Sequence, residues 1–147
     1  MTAALDVRDI LGLATAAGAK NRNPSLLQWV NLAERGVPLS ALDQISRRIA
    51  PSDLSFKYRI VPKATLARAR TRAARLNPAQ STLVLRLAKI WSLARTVWGS
   101  DDAARDFLLR EHQLLDGRPP IDVAIENEMG AELVREILGR LQNGSAV

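Results

Sequence analysis

The residues best suited to chemistry are ten basic side chains in a stretch without any acidic residue, from Leu54 to Ser100. Lysine and arginine make charge-assisted hydrogen bonds to phosphate, and clusters of them supply most of the sequence-independent affinity of proteins for nucleic acids. The run therefore predicts a polyanionic partner, with a merely solvated basic face as the alternative. The ten residues are Lys57, Arg59, Lys63, Arg68, Arg70, Arg72, Arg75, Arg86, Lys89 and Arg95.

The charge of the 147-residue chain is divided unevenly between its two halves. The net charge is +6. Residues 1–76 hold 13 Lys/Arg and 5 Asp/Glu, whereas residues 77–147 hold 8 Lys/Arg and 10 Asp/Glu. Opposite charge balances favour different partners. We therefore expect the two halves to bind different molecules.

The composition excludes several kinds of catalytic or metal site. The chain has no cysteine and a single histidine, His112. A disulfide framework, a thiolate metal site and a His-based metal cluster are thus excluded, and His112 has no obvious partner nucleophile. We therefore expect no cofactor, no metal and no enzymatic activity. The acidic residues between Asp122 and Glu136 favour a solvated or protein-binding face over paired acid–base catalysis. Without a signal peptide or an 18-residue apolar run, the chain is expected to be cytoplasmic with no membrane partner.

Apolar residues recur at helical spacing, and no segment alternates as a strand does, so the pattern predicts an all-α fold. Ser25 and Gly36 are typical of a helix start and stop, and Pro78 and Gly99 bound a long central helix. The predicted helices are Val7–Ala17, Ser25–Gly36, Leu39–Ile49, Ser52–Arg59 with Leu54 and Tyr58 buried, a helix from Pro62 to about Arg75, Pro78–Trp98, one from Asp101, Ile121–Asn127, and Gly130–Gln142.

The helix from Pro62 is predicted to be the second helix of a helix-turn-helix unit. Leu66 and Ala69 share one face, and small and basic residues occupy the other. Small residues let such a helix approach the groove, and basic ones contact phosphates or bases. The candidate DNA-binding residues are Lys63, Ala64, Thr65, Arg68, Arg70, Arg72 and Arg75.

The tryptophans allow two interpretations. Trp91 and Trp98 are seven residues apart on one predicted helix, and Trp29 lies on another. Such rings can stack on bases, but their spacing beside leucines favours a place in the core. We predict core positions for all three.

An ordered set of short motifs in the C-terminal half resembles the Xre/MbcA/ParS toxin-binding domain. The motifs are Val97-Trp98-Gly99, Asp102-Ala103, Phe107-Leu108, Leu114 through Asp122, Glu128-Met129-Gly130-Ala131 and Leu141 through Gly144. Upstream, Val61 to Arg70 is similar to the Xre-like helix-turn-helix of that family. The chain departs from the family at Asp116, where glycine is usual, and at Pro119 and Asn127.

The resemblance implies an N-terminal extension at 1–24, an Xre-like DNA-binding domain at 25–76 and a toxin-binding domain with its tail at 77–147. It also implies a type II antitoxin that blocks the active site of a RES-domain toxin, whose ADP-ribosyltransferase-like fold uses NAD. Such antitoxins form homodimers and repress their own operon by binding operator DNA. The alternative is a stand-alone dimeric helix-turn-helix regulator. By position, the candidate toxin contacts are Gly117, Arg118, Pro119, Pro120, Asp122, Arg140, Leu141, Gln142, Asn143 and Gly144.

Overall fold

A computed structural model describes residues 7–13 and 25–144. The described residues contain α-helices, two short 3₁₀ turns and one isolated bridge between His112 and Arg118, but no strand. The predicted all-α fold is therefore confirmed. The helices are α1 (Val7–Ile10), α2 (Leu26–Arg35), α3 (Leu39–Ile49), α4 (Lys63–Thr71), α5 (Pro78–Trp98), α6 (Asp101–Leu109), α7 (Pro120–Glu126) and α8 (Glu128–Gln142), and the 3₁₀ turns are Phe56–Arg59 and Gln113–Leu115.

The chain forms two compact units that divide between Ala88 and Lys89. This division falls inside α5, whereas the charge division and the resemblance predicted a boundary between residues 76 and 77, before that helix. Within the described residues, no helix has the length and apolar character needed to cross a membrane.

The core of the N-terminal unit is formed by α3 and the segments around it. Leu42, Ile45 and Ile49 repeat at helical spacing along α3 and are fully buried. Phe56 of the first 3₁₀ turn and Leu66 of α4 are also buried. Since a buried leucine contributes roughly 1.5–3 kcal/mol of transfer free energy, the burial of Leu66 keeps the inner face of α4 packed in this unit.

The end of α2 is connected to the segment between α4 and α5. The Val37 carbonyl accepts a hydrogen bond from the Leu76 amide at 3.0 Å, and the Val37 amide donates to Ser81 Oγ at 3.0 Å. Gly36 has a φ of +88°, and a Cβ there would lie 2.3 Å from the Leu76 carbonyl oxygen. Only glycine fits this approach, which is why α2 ends where the sequence predicted.

The prediction of a helix from Ser52 to Arg59 is wrong. Only Phe56–Arg59 is helical, and it forms a 3₁₀ turn. The Ser55 amide and hydroxyl both donate to Asp53 Oδ1, at 3.0 and 2.6 Å, which gives the backbone an alternative to helix. These hydrogen bonds from Ser55 lower the pKa of the Asp53 carboxyl. Leu54 is 87% exposed, and the ring buried in its place is Phe56.

The two helices before α3 also differ from prediction. The first is shorter: α1 ends at Ile10, before Gly12 with its φ of +66°, while Ala14–Ala17 lie outside the described residues. The second, α2, has the predicted Ser25 cap and Gly36 stop, and Gln28 completes a capping box, but the helix buries none of its residues. Its apolar face was expected in the core, yet Leu26 is 76% exposed.

The C-terminal unit contains the predicted helix end at Gly99, and side chains cap the starts of α6 and α8. Gly99, with a φ of +81°, ends α5, and Ser100 Oγ accepts a hydrogen bond from the Ala103 amide to cap α6. Asn127 caps α8 in the same way, through the Gly130 amide at 2.8 Å, so α8 begins two residues before the predicted Gly130 start. The buried face of α8 contains Val134, Ile137 and Leu138.

Candidate functional site

The exposed face of α4 is the first candidate site. Pro62 precedes the helix in an extended conformation, and the buried Leu66 fixes its inner face. Lys63, Ala64 and Arg68 are exposed on the outside, while Thr65 is half-buried. A short helix with small and basic residues outward has the form of a helix that enters the DNA major groove.

The basic residues after Arg68 have different surroundings from those predicted. The helix ends at Thr71, so Arg72 caps it and Arg75 lies beyond it, contrary to the helical placement predicted for both. Arg70 Nη2 lies 3.4 Å from Asp43 Oδ1, and Arg75 Nη1 donates to the Gly36 carbonyl at 3.1 Å. Arg70 and Arg75 are thus occupied within their own unit.

Other cations of this unit lie close to Tyr58. The ammonium groups of Lys57 and Lys63 are 5.5 and 5.8 Å from the centre of its ring. Both distances are within the range of cation–π attraction, which favours two positive charges near the N-terminus of α4. The exposed Arg47 in the last turn of α3 adds a further positive charge to this unit. Arg47 was not among the predicted DNA-binding residues, although two consecutive arginines at a helix end were a visible signal in the sequence.

The loop from His112 to Arg118 is the second feature predicted for partner binding. The His112 amide donates to the Arg118 carbonyl at 3.3 Å, and the Gly117 amide donates to the His112 carbonyl at 3.0 Å. Asp116 adopts a left-handed conformation with a φ of 55°, which explains why a glycine suits this position. The exposed Arg118 pairs with Glu126, whose hydrogen bond raises the pKa of the guanidinium. The loop is thus held in one shape.

The predicted toxin contacts are not all on the surface. Gly117, Arg118, Gln142, Asn143 and Gly144 are exposed, whereas Pro119 and Asp122 are half-buried. Pro120 is buried as the first residue of α7, so its ring is not available to a partner. Arg140 is exposed but pairs with Glu136 at 2.6 Å. The residues that follow, Ser145–Val147, lie outside the described part of the chain.

A pocket of about 300 Å³ lies in the C-terminal unit, and sequence reasoning missed it. Its apolar walls include Trp98, Phe107 and Leu141, with His112 beside them. The Trp98 and Phe107 ring centres are 5.7 Å apart, and the Phe107 and His112 rings meet edge to face at 5.9 Å. Of the predicted toxin contacts, Leu141 alone is among the residues that line it.

The tryptophans have three different environments. The core prediction is confirmed for Trp91, which is fully buried with the Arg105 guanidinium 5.6 Å from its ring centre. It is wrong for Trp98, which is 42% exposed at the pocket. Trp29 is half-buried on α2. The position of Trp98 next to the helix-ending Gly99 was the available signal, because the last turn of a helix is often open to solvent.

Two family models match the chain, in the order that the two compact units follow. The antitoxin Xre-like helix-turn-helix domain matches residues 28–89, and the antitoxin Xre/MbcA/ParS C-terminal toxin-binding domain matches residues 93–144. The chain combines the two domains of Xre/MbcA/ParS antitoxins. No curated protein shows significant similarity to it. In this antitoxin, the first match contains α4, and the second contains every residue that lines the pocket.

Proposed function

We propose that this antitoxin neutralises a cognate RES-domain toxin by occluding its NAD-using active site, and that it binds operator DNA to repress its own operon. The main support for the proposal is that one chain contains both an antitoxin helix-turn-helix domain and a toxin-binding domain. Its role is stoichiometric and non-enzymatic, and its place is the cytoplasm, where both the toxin and the operon are accessible.

The DNA-binding part of the proposal is supported by the charge and shape of the N-terminal half. Residues 1–76 carry 13 Lys/Arg against 5 Asp/Glu. The exposed Lys63 and Arg68 lie on α4, and Arg72 follows at its end. Phosphate contacts from such residues set the register of a recognition helix, and Ala64 and Thr65 are small enough to approach thymine methyl groups.

The toxin-binding part is supported by the exposed residues that follow α8 and by the hydrogen-bonded loop near Arg118. Beyond α8, Asn143 and Gly144 are exposed, and Gly144 has a φ of +74°. A short segment that follows the last packed helix can enter a narrow active site that the packed helices cannot reach. We therefore propose that the residues after Gln142 contribute to occlusion of the toxin active site.

The test first establishes whether a reading frame adjacent to the gene of this chain encodes a RES-domain protein, and then measures growth rescue in cells that express that protein. Co-expression of the full antitoxin should restore growth, and truncation after Gln142 should abolish the rescue. This truncation leaves α8 complete. Circular dichroism and soluble yield provide the control for folding. Full rescue by a folded, truncated antitoxin would contradict the role of the tail, and failure of the full chain to bind any toxin would leave a stand-alone DNA-binding regulator.

We also propose that the antitoxin acts as a homodimer through α2. Helix-turn-helix proteins commonly read two half-sites as a dimer. In this chain, α2 buries none of its residues, and Leu26 and Leu27 are 76% and 67% exposed. Because α2 carries one Glu and one Arg, its charges cancel, and two copies of this otherwise basic unit can approach there without strong repulsion.

A further inference from the structure

We propose that the pocket lined by Trp98, Phe107, His112 and Leu141 receives one large apolar side chain of the toxin, and that this side chain is flanked by a basic residue. The inference rests on the proposed toxin-binding function and adds the chemistry of the contact to it. All of these residues lie inside the region that matches the toxin-binding domain.

The size and lining of the pocket suit a single anchor side chain. Its volume of about 300 Å³ is at the lower end of the ~300–1,000 Å³ typical of ligand clefts. Trp98 is 42% exposed at this site, although a ring of this size is normally well covered. Burial of such a ring against an apolar partner releases ordered water, and deeply buried aromatic anchors carry most of the affinity in protein interfaces.

The aromatic wall is already formed in the free antitoxin. Trp98 and Phe107 are in ring contact, and Phe107 meets His112 edge to face. His112 Nδ1 accepts a hydrogen bond from the Leu114 amide at 3.2 Å, which holds the imidazole ring in place. A preformed wall loses little conformational entropy on binding, so less of the favourable contact free energy is offset by the ordering of side chains.

The charged residues at the pocket favour a basic neighbour for the anchor. Asp106 and Arg110 neutralise each other in an ion pair of 2.7 Å. Glu111 also lines the pocket, is exposed, and has no ion-pair partner among the described residues. The pocket therefore carries one uncompensated negative charge. A lysine or arginine beside the apolar anchor complements it, and an acidic residue there is repelled.

The same charge argues against a second copy of this chain as the occupant. Two identical pockets meeting across a two-fold axis bring two Glu111 carboxylates together, and like charges in an interface are unfavourable. The apolar face of α2 has no such charge. A toxin surface with the opposite charge is the occupant that fits the pocket.

Once growth rescue has identified the cognate RES-domain toxin, calorimetry measures the affinity of purified antitoxin variants for an inactivated form of it. Trp98→Ala should weaken binding at least about tenfold, as expected for an aromatic anchor contact. Glu111→Lys should weaken it by reversing the charge, and Glu111→Gln should weaken it less. Leu109→Ala is the matched control, because Leu109 is 43% exposed on α6 but does not line this pocket, and it should bind within about twofold of wild type.

Three outcomes would overturn the inference. If wild type binds the toxin and a folded Trp98→Ala binds equally well, the pocket is not the anchor site and the proposed function stands. If Trp98→Ala loses self-association instead of toxin affinity, the occupant is a second copy. If wild type itself binds no toxin, the proposed function fails and the inference fails with it. Sedimentation and circular dichroism of each variant distinguish these outcomes from misfolding.

Discussion

The two glycines of α8, Gly130 and Gly139, differ in the space around them. A Cβ on Gly130 would lie 2.1 Å from the Val123 carbonyl oxygen of α7, whereas one on Gly139 would meet nothing within 4 Å. Gly130 thus permits the close approach of α7 and α8. Gly139 has no such contact, and a glycine inside a helix costs conformational entropy.

We therefore expect opposite effects from the same substitution. Gly130→Ala should lower the free energy of unfolding by about 1–3 kcal/mol, because the helices must separate to admit a methyl group. Gly139→Ala should raise it by ~0.5–1 kcal/mol, because alanine favours the helix. Urea denaturation followed by circular dichroism measures both. Equal effects from the two substitutions would contradict the close α7–α8 contact.

At the scale of elements, the cations at and beyond α4 form two groups. Arg68 and Arg72 are exposed and have no ion-pair partner among the described residues. Arg70 and Arg75 contact Asp43 and the Gly36 carbonyl. A cation that is already paired gains less from a phosphate than one that is only hydrated. The two groups therefore provide matched variants for the DNA proposal.

The combined substitution Arg68→Ala and Arg72→Ala should weaken operator binding and reduce the slope of log K against log salt concentration. Each lost phosphate contact removes ~0.9 from that slope. Arg70→Ala with Arg75→Ala should reduce the slope less. Fluorescence anisotropy at several salt concentrations measures both pairs. An unchanged slope for the first pair would contradict the assignment of α4 as the DNA-contacting helix.

At the scale of the whole molecule, the proposed homodimer depends on an apolar surface that the chain does not cover by itself. Leu26→Ser with Leu27→Ser should convert dimer to monomer, with little cost to folding because both side chains are exposed. Operator affinity should then fall, because one half-site is bound at a time. Sedimentation equilibrium measures the change.

The control for this test is Met129→Ser, which alters an 83% exposed apolar side chain of the C-terminal unit. We expect that variant to remain dimeric and to bind operator DNA as wild type does. A dimer that survives the α2 substitutions, or that is lost with Met129→Ser, would place self-association elsewhere.

Much of the helical framework followed from local signals in the sequence. Ser25 forms its capping box with Gln28, Asn77 exchanges hydrogen bonds with Gln80 before α5, and Gly99 ends that helix. Each signal depends on hydrogen bonds or backbone conformation within three or four residues, so a short segment of sequence is enough to predict it. The same limit explains the error at Leu54, because local spacing cannot show which of several apolar side chains reaches the core.

The sequence by itself determined the all-α class, most helix boundaries, the charge division and the resemblance that the family matches later supported. Only the tertiary structure decided which cations are occupied and which aromatic rings remain exposed. Arg75 contacts Gly36, 39 residues away, and Trp98, Phe107 and Leu141 meet at one pocket across three helices. Contacts between distant segments depend on how the helices pack, and helical periodicity within one segment carries no information about that packing.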